Sequence, residues 1–251
     1  WLRERAATPD DKPWVLFVSF VRPHFPLIAP ADLVDRYLAR KLPLPFRRAW
    51  KPSHPVLAAL REVQNYNDYF RDDDQVRLAL AAYYGMVTAI DAQVGGLLKT
   101  LDETGQAANT RIVYTSDHGD NLGNRGFWGK STMVEDSAGI PLIIAGPDVP
   151  RGKRIAEPAS LVDIYQTAIE ATGNEATDEE HNDLPGVSLI TLANGAKPIR
   201  AVLSEYHAVG SITACFMLRA GHWKYIHYPG YAPQLFNLDA DPLETTDLAA
   251  S

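Results

Sequence analysis

The chain has 251 residues, 46% of them hydrophobic, with 24 Lys+Arg against 31 Asp+Glu and a formal net charge of −7. That content buries a full globular core, and a lone cysteine, Cys215, forms no internal bridge, so a disordered chain and a disulfide-stapled miniprotein are both excluded. The acidic balance argues against a nucleic-acid binder, which displaces counterions with clustered Lys/Arg; pairs such as Arg47-Arg48 and Lys153-Arg154 are too short for that.

The chain opens on Trp1-Leu2-Arg3-Glu4-Arg5, with no initiator Met and no leader pattern, which predicts the remainder of a longer polypeptide with any targeting signal upstream. The single thiol fits a reducing compartment, so a cytoplasmic location is expected and a periplasmic one stays open. Trp14 to Phe20 is an apolar run without alternation, the pattern of a strand buried on both faces. It is also far shorter than the roughly 20 residues of a membrane helix, as is Ile140 to Ala145, so no membrane partner is expected. Arg22-Pro23-His24-Phe25-Pro26 follows as a stiff loop, and residues 26–55, rich in proline, read as an irregular surface excursion.

From Asp74 to about Glu103, apolar residues including Leu78, Ala81, Met86, Ile90, Leu97 and Leu101 recur at helical spacing, and Gly105 is a stop. Thr110 to Ser116 predicts a second strand and Ile140 to Ala145 a third. Ser160 is placed to cap a helix over Leu161 to Ala171. Residues 176–183 form an acidic polar loop. After residue 195 the pattern changes to short strands at 202–206, 212–218, 223–228 and 234–238, separated by Gly and Pro turns. The expected fold class is α/β, a sheet flanked by helices over residues 1–195, with a small antiparallel-sheet subdomain over residues 196–251.

Asp117-His118-Gly119-Asp120 follows a strand directly, and ligands of open α/β sheets bind at the carboxyl ends of strands. A carboxylate beside an imidazole there offers a divalent cation two donors of different hardness. The alternative is a turn-capping Asp117 and a solvated His118, and the dipeptide alone leaves both open.

Ser116 to Gly123, then Gly126-Phe127-Trp128-Gly129-Lys130, then Ile140-Pro141-Leu142-Ile143, resembles the C-terminal signature of the sulfatase family of the alkaline phosphatase superfamily. Ala89 to Gly95, Leu161 to Thr167, Trp223 to Ile226, Leu235 to Leu238 and Asp241 to Glu244 extend the likeness over nearly the whole chain from residue 14. The resemblance implies an alkaline-phosphatase-like mixed sheet and a metal-dependent hydrolase of sulfate esters, close to the branch of choline sulfatases and phosphonate monoester hydrolases. Asp117 and His118 match the metal-ligand pair, for Ca²⁺ first and Mg²⁺ or Mn²⁺ as alternatives. Lys130 matches the lysine on the sulfate, and His24 matches the histidine on the leaving oxygen, where a cation stabilises developing negative charge. Structural roles for His24, as a brace of its proline loop, and for Lys130, as a solvated charge, stay open.

Trp128, Glu205 and His207 are further candidates for lining the substrate pocket; the competing readings are a packed loop anchor for Trp128 and a surface strand end for the other two. Trp128, Tyr206, Trp223 and Tyr228 are candidates for a cage around a quaternary ammonium, with core packing as the alternative. The family's nucleophile is a formylglycine made from Cys or Ser in a Cys/Ser-x-Pro/Ala-x-Arg motif, which does not stand in its expected place. Cys215 to Arg219 copies only the spacing, with Met217 at the Pro/Ala position. The formylglycine is therefore expected on a missing N-terminal portion of the same enzyme, which becomes a necessary partner. Hydrolysis of phosphonate monoesters or phosphodiesters is the alternative activity, and a non-catalytic sulfatase-like domain, with or without homo-oligomers, is the third reading.

Overall fold

The computed structural model describes residues 1–8, 10–46, 54–173 and 184–249. Arg47-Arg48 and the acidic loop at 176–183 lie outside the described residues.

Helix α1 (Leu2–Ala7) is short, and the apolar run after it is not a strand. Among the described residues none pairs with Trp14 to Phe20, and Phe17 is left 88% exposed. A run suited to burial on both faces needs neighbours on both sides, and the described chain supplies no strand there. The proline-rich stretch is more ordered than expected, because α2 (Ala31–Leu38) starts immediately after Pro30. Its Tyr37 hydroxyl meets Thr88 Oγ1 at 2.7 Å on the long helix, and Gly85 of that helix faces Ala29 and Leu33, where a Cβ would come within 3.0 Å of the Ala29 methyl. Helix α3 (Pro55–Val63) places proline in its first turn, where a missing amide hydrogen costs nothing.

The long helix, α4 (Asp73–Glu103), is capped by Asp72, whose carboxylate accepts from the Gln75 amide at 2.9 Å. Strands β1 (Ile112–Thr115) and β2 (Leu142–Ala145) pair antiparallel, Ile112 opposite Ala145 and Thr115 opposite Leu142, with α5 (Glu135–Ala138) in the connection. Helix α6 (Asp163–Ala171) begins two residues later than the Ser160 cap predicted. Its end is tied by the buried Asp163 instead, which accepts from the amides of Ser160 and Val187, both at 2.8 Å, and pairs with Arg200 at 2.9 Å. A short α7 (Leu189–Ala193) packs beside it.

The second sheet is β3 (Val202–Tyr206), β4 (Cys215–Ala220), β5 (Trp223–His227) and β6 (Gln234–Asn237), antiparallel in sequence order. Its residues alternate as a half-buried sheet must, with Cys215, Met217, Lys224, Ile226, Gln234 and Phe236 inward. Among the described residues three apolar clusters make the core. Val56, Met133, Cys215, Met217, Ile226, Tyr228 and Phe236 form one; Leu57, Leu60 and Phe127 a second; Val76, Leu80 and Trp128 a third. Phe127, Trp128 and Met133 belong to one loop, so the chain between β1 and β2 is anchored in all three.

Candidate active site

The site grows from the end of β1. The Ser116 hydroxyl donates to the His118 carbonyl at 2.8 Å, and the His118 amide donates to Asp117 Oδ1 at 3.0 Å, which turns the chain sharply. Gly119 then passes against α5: its amide donates to the Ser137 carbonyl at 2.8 Å, and a Cβ there would lie 2.2 Å from the Asp136 carbonyl oxygen. Only glycine permits that approach. The loop beyond bends through Gly123 (φ +87°), which lies under the Trp128 ring.

Four side chains gather here. Lys130 Nζ is 2.8 Å from His118 Nε2 and 3.3 Å from His24 Nε2, and Asp117 Oδ2 is 3.5 Å from the same His118 nitrogen. His24 arrives from the proline loop more than ninety residues upstream in sequence, where the Arg22–Pro23 and Phe25–Pro26 peptides are both cis. Each imidazole has its other nitrogen on a carbonyl, His118 Nδ1 on Gly119 at 2.7 Å and His24 Nδ1 on Phe25 at 2.9 Å. A carbonyl only accepts, so both Nδ1 atoms carry the hydrogen, and both Nε2 lone pairs face the ammonium.

That tautomer is the one a metal-binding histidine needs, with its second nitrogen fixed by a backbone acceptor. Asp117, 81% exposed, adds a carboxylate open to solvent. The pair fits two positions of a divalent cation's shell with one hard and one borderline donor. Among the described residues no group of three or more His, Cys, Asp or Glu converges on one point.

Two residues that the sequence reading passed over shape this loop. Asp120 Oδ1 accepts from the amides of Leu122 and Gly129, both at 2.9 Å. Burial pushes its carboxyl up from 3.8, against those two hydrogen bonds and the proximity of the His118 and His24 rings. Tyr83 on α4 is pushed up to about 12, first by burial and then by the charge of Asp120. Asn121, fully buried, donates from Nδ2 to the Gly129 carbonyl at 2.7 Å and accepts from Thr132 Oγ1 at 3.2 Å. The available signal was a run of polar residues, Asp120-Asn121, ahead of a turn that returns to Gly129.

The remaining candidates stand apart. Trp128 is a loop anchor rather than a pocket wall: its ring is buried and stacks on Phe70 at 4.6 Å between centroids. Glu205 and His207 pair with each other at 3.6 Å and are exposed, and among the described residues neither makes a hydrogen bond, ion pair or ring contact with His24, His118 or Lys130. Trp128, Tyr206, Trp223 and Tyr228 do not form a cage. Tyr228 and Tyr206 pack with the first core cluster, Trp128 belongs to the third, and Trp223 is exposed on the other face of the sheet. Cys215 lies in the core with its thiol pushed up by burial, the opposite of an activated nucleophile.

A carboxylate and an imidazole at the end of a strand thus face an ammonium on an α/β scaffold. The chain belongs to the sulfatase family: the Sulfatase family model matches residues 1–174, and the model for the C-terminal part of N-sulphoglucosamine sulphohydrolase matches residues 123–251. It is 35% identical to a choline-sulfatase from Rhizobium meliloti (strain 1021), over 95% of this chain and 46% of that protein. It is 36% identical to arylsulfatase K from Danio rerio, over 80% of this chain and 39% of the relative. A solved phosphonate monoester hydrolase from Silicibacter pomeroyi superposes with a TM-score of 0.82 at 26% identity, covering 100% of this chain and 55% of that one. The chain thus spans about half the length of the relatives it matches, and its fold is of the sulfatase and alkaline phosphatase type.

Proposed function

We propose that this chain is the C-terminal part of a hydrolase that cleaves sulfate esters. The observation that carries the reading is the convergence of Lys130 and His24 beside the Asp117-His118 pair in a chain of the sulfatase family. The nucleophile, a formylglycine in our reading, is supplied by sequence outside these 251 residues.

Asp117 and the His118 Nε2 lone pair would hold a divalent cation, Ca²⁺ in preference to Mg²⁺ or Mn²⁺. When bound, that cation neutralises sulfate oxygens. Lys130 donates to a sulfate oxygen and holds the group in line. His24 Nε2 stands 3.3 Å from Lys130 Nζ, so the two nitrogens reach one region, where the His24 imidazole would stabilise the charge that develops on the departing alkoxide oxygen. The exposed carboxylate and the semi-open Lys130 cluster face solvent, which suits a substrate entering from that side.

The phosphonate monoester hydrolase likeness favours a second reading, hydrolysis of phosphonate monoesters or phosphodiesters, because the same donors fit a phosphorus centre. Both readings are tested by expressing the complete reading frame and comparing kcat/KM on an aryl sulfate, a matched phosphodiester and a matched phosphonate monoester. The sulfate ester should be preferred. Lys130→Ala should lower that rate about 10²–10³-fold, the cost of one preorganised donor to a developing oxyanion. Preference for phosphorus would establish the second reading, and no turnover of any ester would leave a non-catalytic domain.

A further inference from the structure

Lys130 reaches the cluster on a long, flexible stem that rises from a loop, with no regular element beneath it. It sits on the loop between β1 and β2, one residue after Gly129 (φ +72°) and one before Ser131 (φ +86°). A loop of this kind does not by itself aim an ammonium at two imidazole nitrogens, yet Nζ lies 2.8 Å from one and 3.3 Å from the other. Something must set its direction.

We propose that Asp120, together with Asn121, is a positioning residue that aims Lys130 by clamping the Gly129 peptide unit from both sides. The Gly129 amide donates to Asp120 Oδ1 at 2.9 Å. The Gly129 carbonyl receives two hydrogens, from the Asn121 amide at 2.8 Å and from Asn121 Nδ2 at 2.7 Å. Both backbone groups of the residue before Lys130 are therefore held by two consecutive side chains that themselves follow the Asp117-His118 turn.

The clamp continues past the lysine. Asn121 Oδ1 accepts from Thr132 Oγ1 at 3.2 Å, and Trp128, on the other side, is stacked on Phe70. Asp120 Oδ1 also accepts from the Leu122 amide, so one oxygen joins the start of the loop to its return. The polypeptide that supplies the cation pair is thus hydrogen-bonded to the polypeptide that supplies the ammonium. The two must move as one body, and their relative geometry is set by these hydrogen bonds. The negative charge of Asp120 is not required for that task, since an amide oxygen accepts the same two hydrogens.

The proposal rests on the assignment of Lys130 to the sulfate and is tested in the complete enzyme with 4-nitrophenyl sulfate. Asp120→Ala should lower kcat/KM about 10²-fold, the size of loss that follows a misplacement of about 1 Å at a reacting centre. Asp120→Asn should rescue it to within about threefold of wild type, because the acceptor is kept. In a Lys130→Ala background, Asp120→Ala should cost almost nothing further, since it acts through a side chain already gone. An equal loss in both backgrounds would overturn the proposal and leave Asp120 a general support of the fold. A loss in Asp120→Asn far beyond about threefold would overturn it too, by showing that the charge is what matters; this outcome is read from the asparagine variant alone, so it decides even if the alanine variant does not fold. Undiminished turnover in Lys130→Ala alone would sink the assignment of Lys130 itself, a failure distinct from the other two.

Discussion

Lys224 is completely buried on the inner face of β5, and its ammonium is held by three oxygens: the Met133 carbonyl at 2.8 Å, Glu244 Oε1 at 2.7 Å and Glu135 Oε1 at 2.7 Å. Glu244 is equally enclosed, and its second oxygen accepts from the Glu135 amide at 2.7 Å. Lys224→Met keeps the apolar stem and removes the charge, leaving the buried Glu244 carboxylate with only the more distant Arg125 guanidinium, at 3.9 Å, as a cationic partner. Breaking a buried pair in this way costs about 3–5 kcal/mol. At about 2–4 °C per kcal/mol for a chain of this size, the melting temperature should fall by about 6–20 °C. Adding Glu244→Gln removes the stranded charge while its amide oxygen still accepts from Glu135, so the double variant should regain at least about 1 kcal/mol of the loss. Differential scanning fluorimetry and urea unfolding measure both. A loss under about 1 kcal/mol for Lys224→Met, or a double variant no more stable than the single one, would refute the claim that this network carries an interdependent buried charge.

Three more outcomes are expected. Burial outweighs Lys224 and holds the Glu244 carboxyl above its ordinary 4.5, so the folded protein binds that proton more tightly than the unfolded chain. Its contribution is then complete below pH 4.5 and is lost as pH rises through the raised value, and Glu244→Gln should remove that downward slope from a plot of melting temperature against pH. Gly119→Ala should destabilise by about 1–3 kcal/mol and lower turnover at least about tenfold, since the added methyl must push the Asp117-His118 turn off the Asp136 carbonyl; melting curves and steady-state kinetics on one preparation check both. His24→Ala should lower kcat/KM on an aryl sulfate about 10²–10³-fold, and less on esters whose alcohol leaves easily, because a good leaving group needs less help with its charge; a series of substituted phenyl sulfates measures that dependence.

Periodicity was enough for much of the fold. The long helix and six of the seven predicted strands were legible because their side chains alternate or recur against a core the chain itself provides. Trp14 to Phe20 was misread for the opposite reason: its pattern describes a strand with neighbours, and a pattern does not say whether the neighbours are in hand. Helix α2 was hidden by the prolines around it, although Pro30 only precedes its first turn and leaves the eight residues after it free to coil. At the site, the residue types with distinctive chemistry stood out, while Asp120 and Asn121 did not, since their work is to accept and donate to a backbone nine and eight residues on. Lys224 left a clue that was readable: alternation in Trp223-Lys224-Tyr225-Ile226 turns it to the same side as Ile226, and a cation facing a core needs an anion brought from elsewhere. Which anion, Glu244 or another, depends on how the last turn folds back, and spacing does not contain that.

That last turn also reaches the loop. The Leu243 carbonyl accepts from the buried Arg125 guanidinium, whose other arm holds Asp136 at 2.7 Å, and Glu244 takes the first amide of α5. A premature stop codon just ahead of Asp241 would leave His24, Asp117, His118 and Lys130 all translated and all four strands of the second sheet complete. It would nonetheless release the segment on which Gly119 rests, so a lesion at the extreme end of this stretch of gene would be recorded in the assay as a defect of turnover.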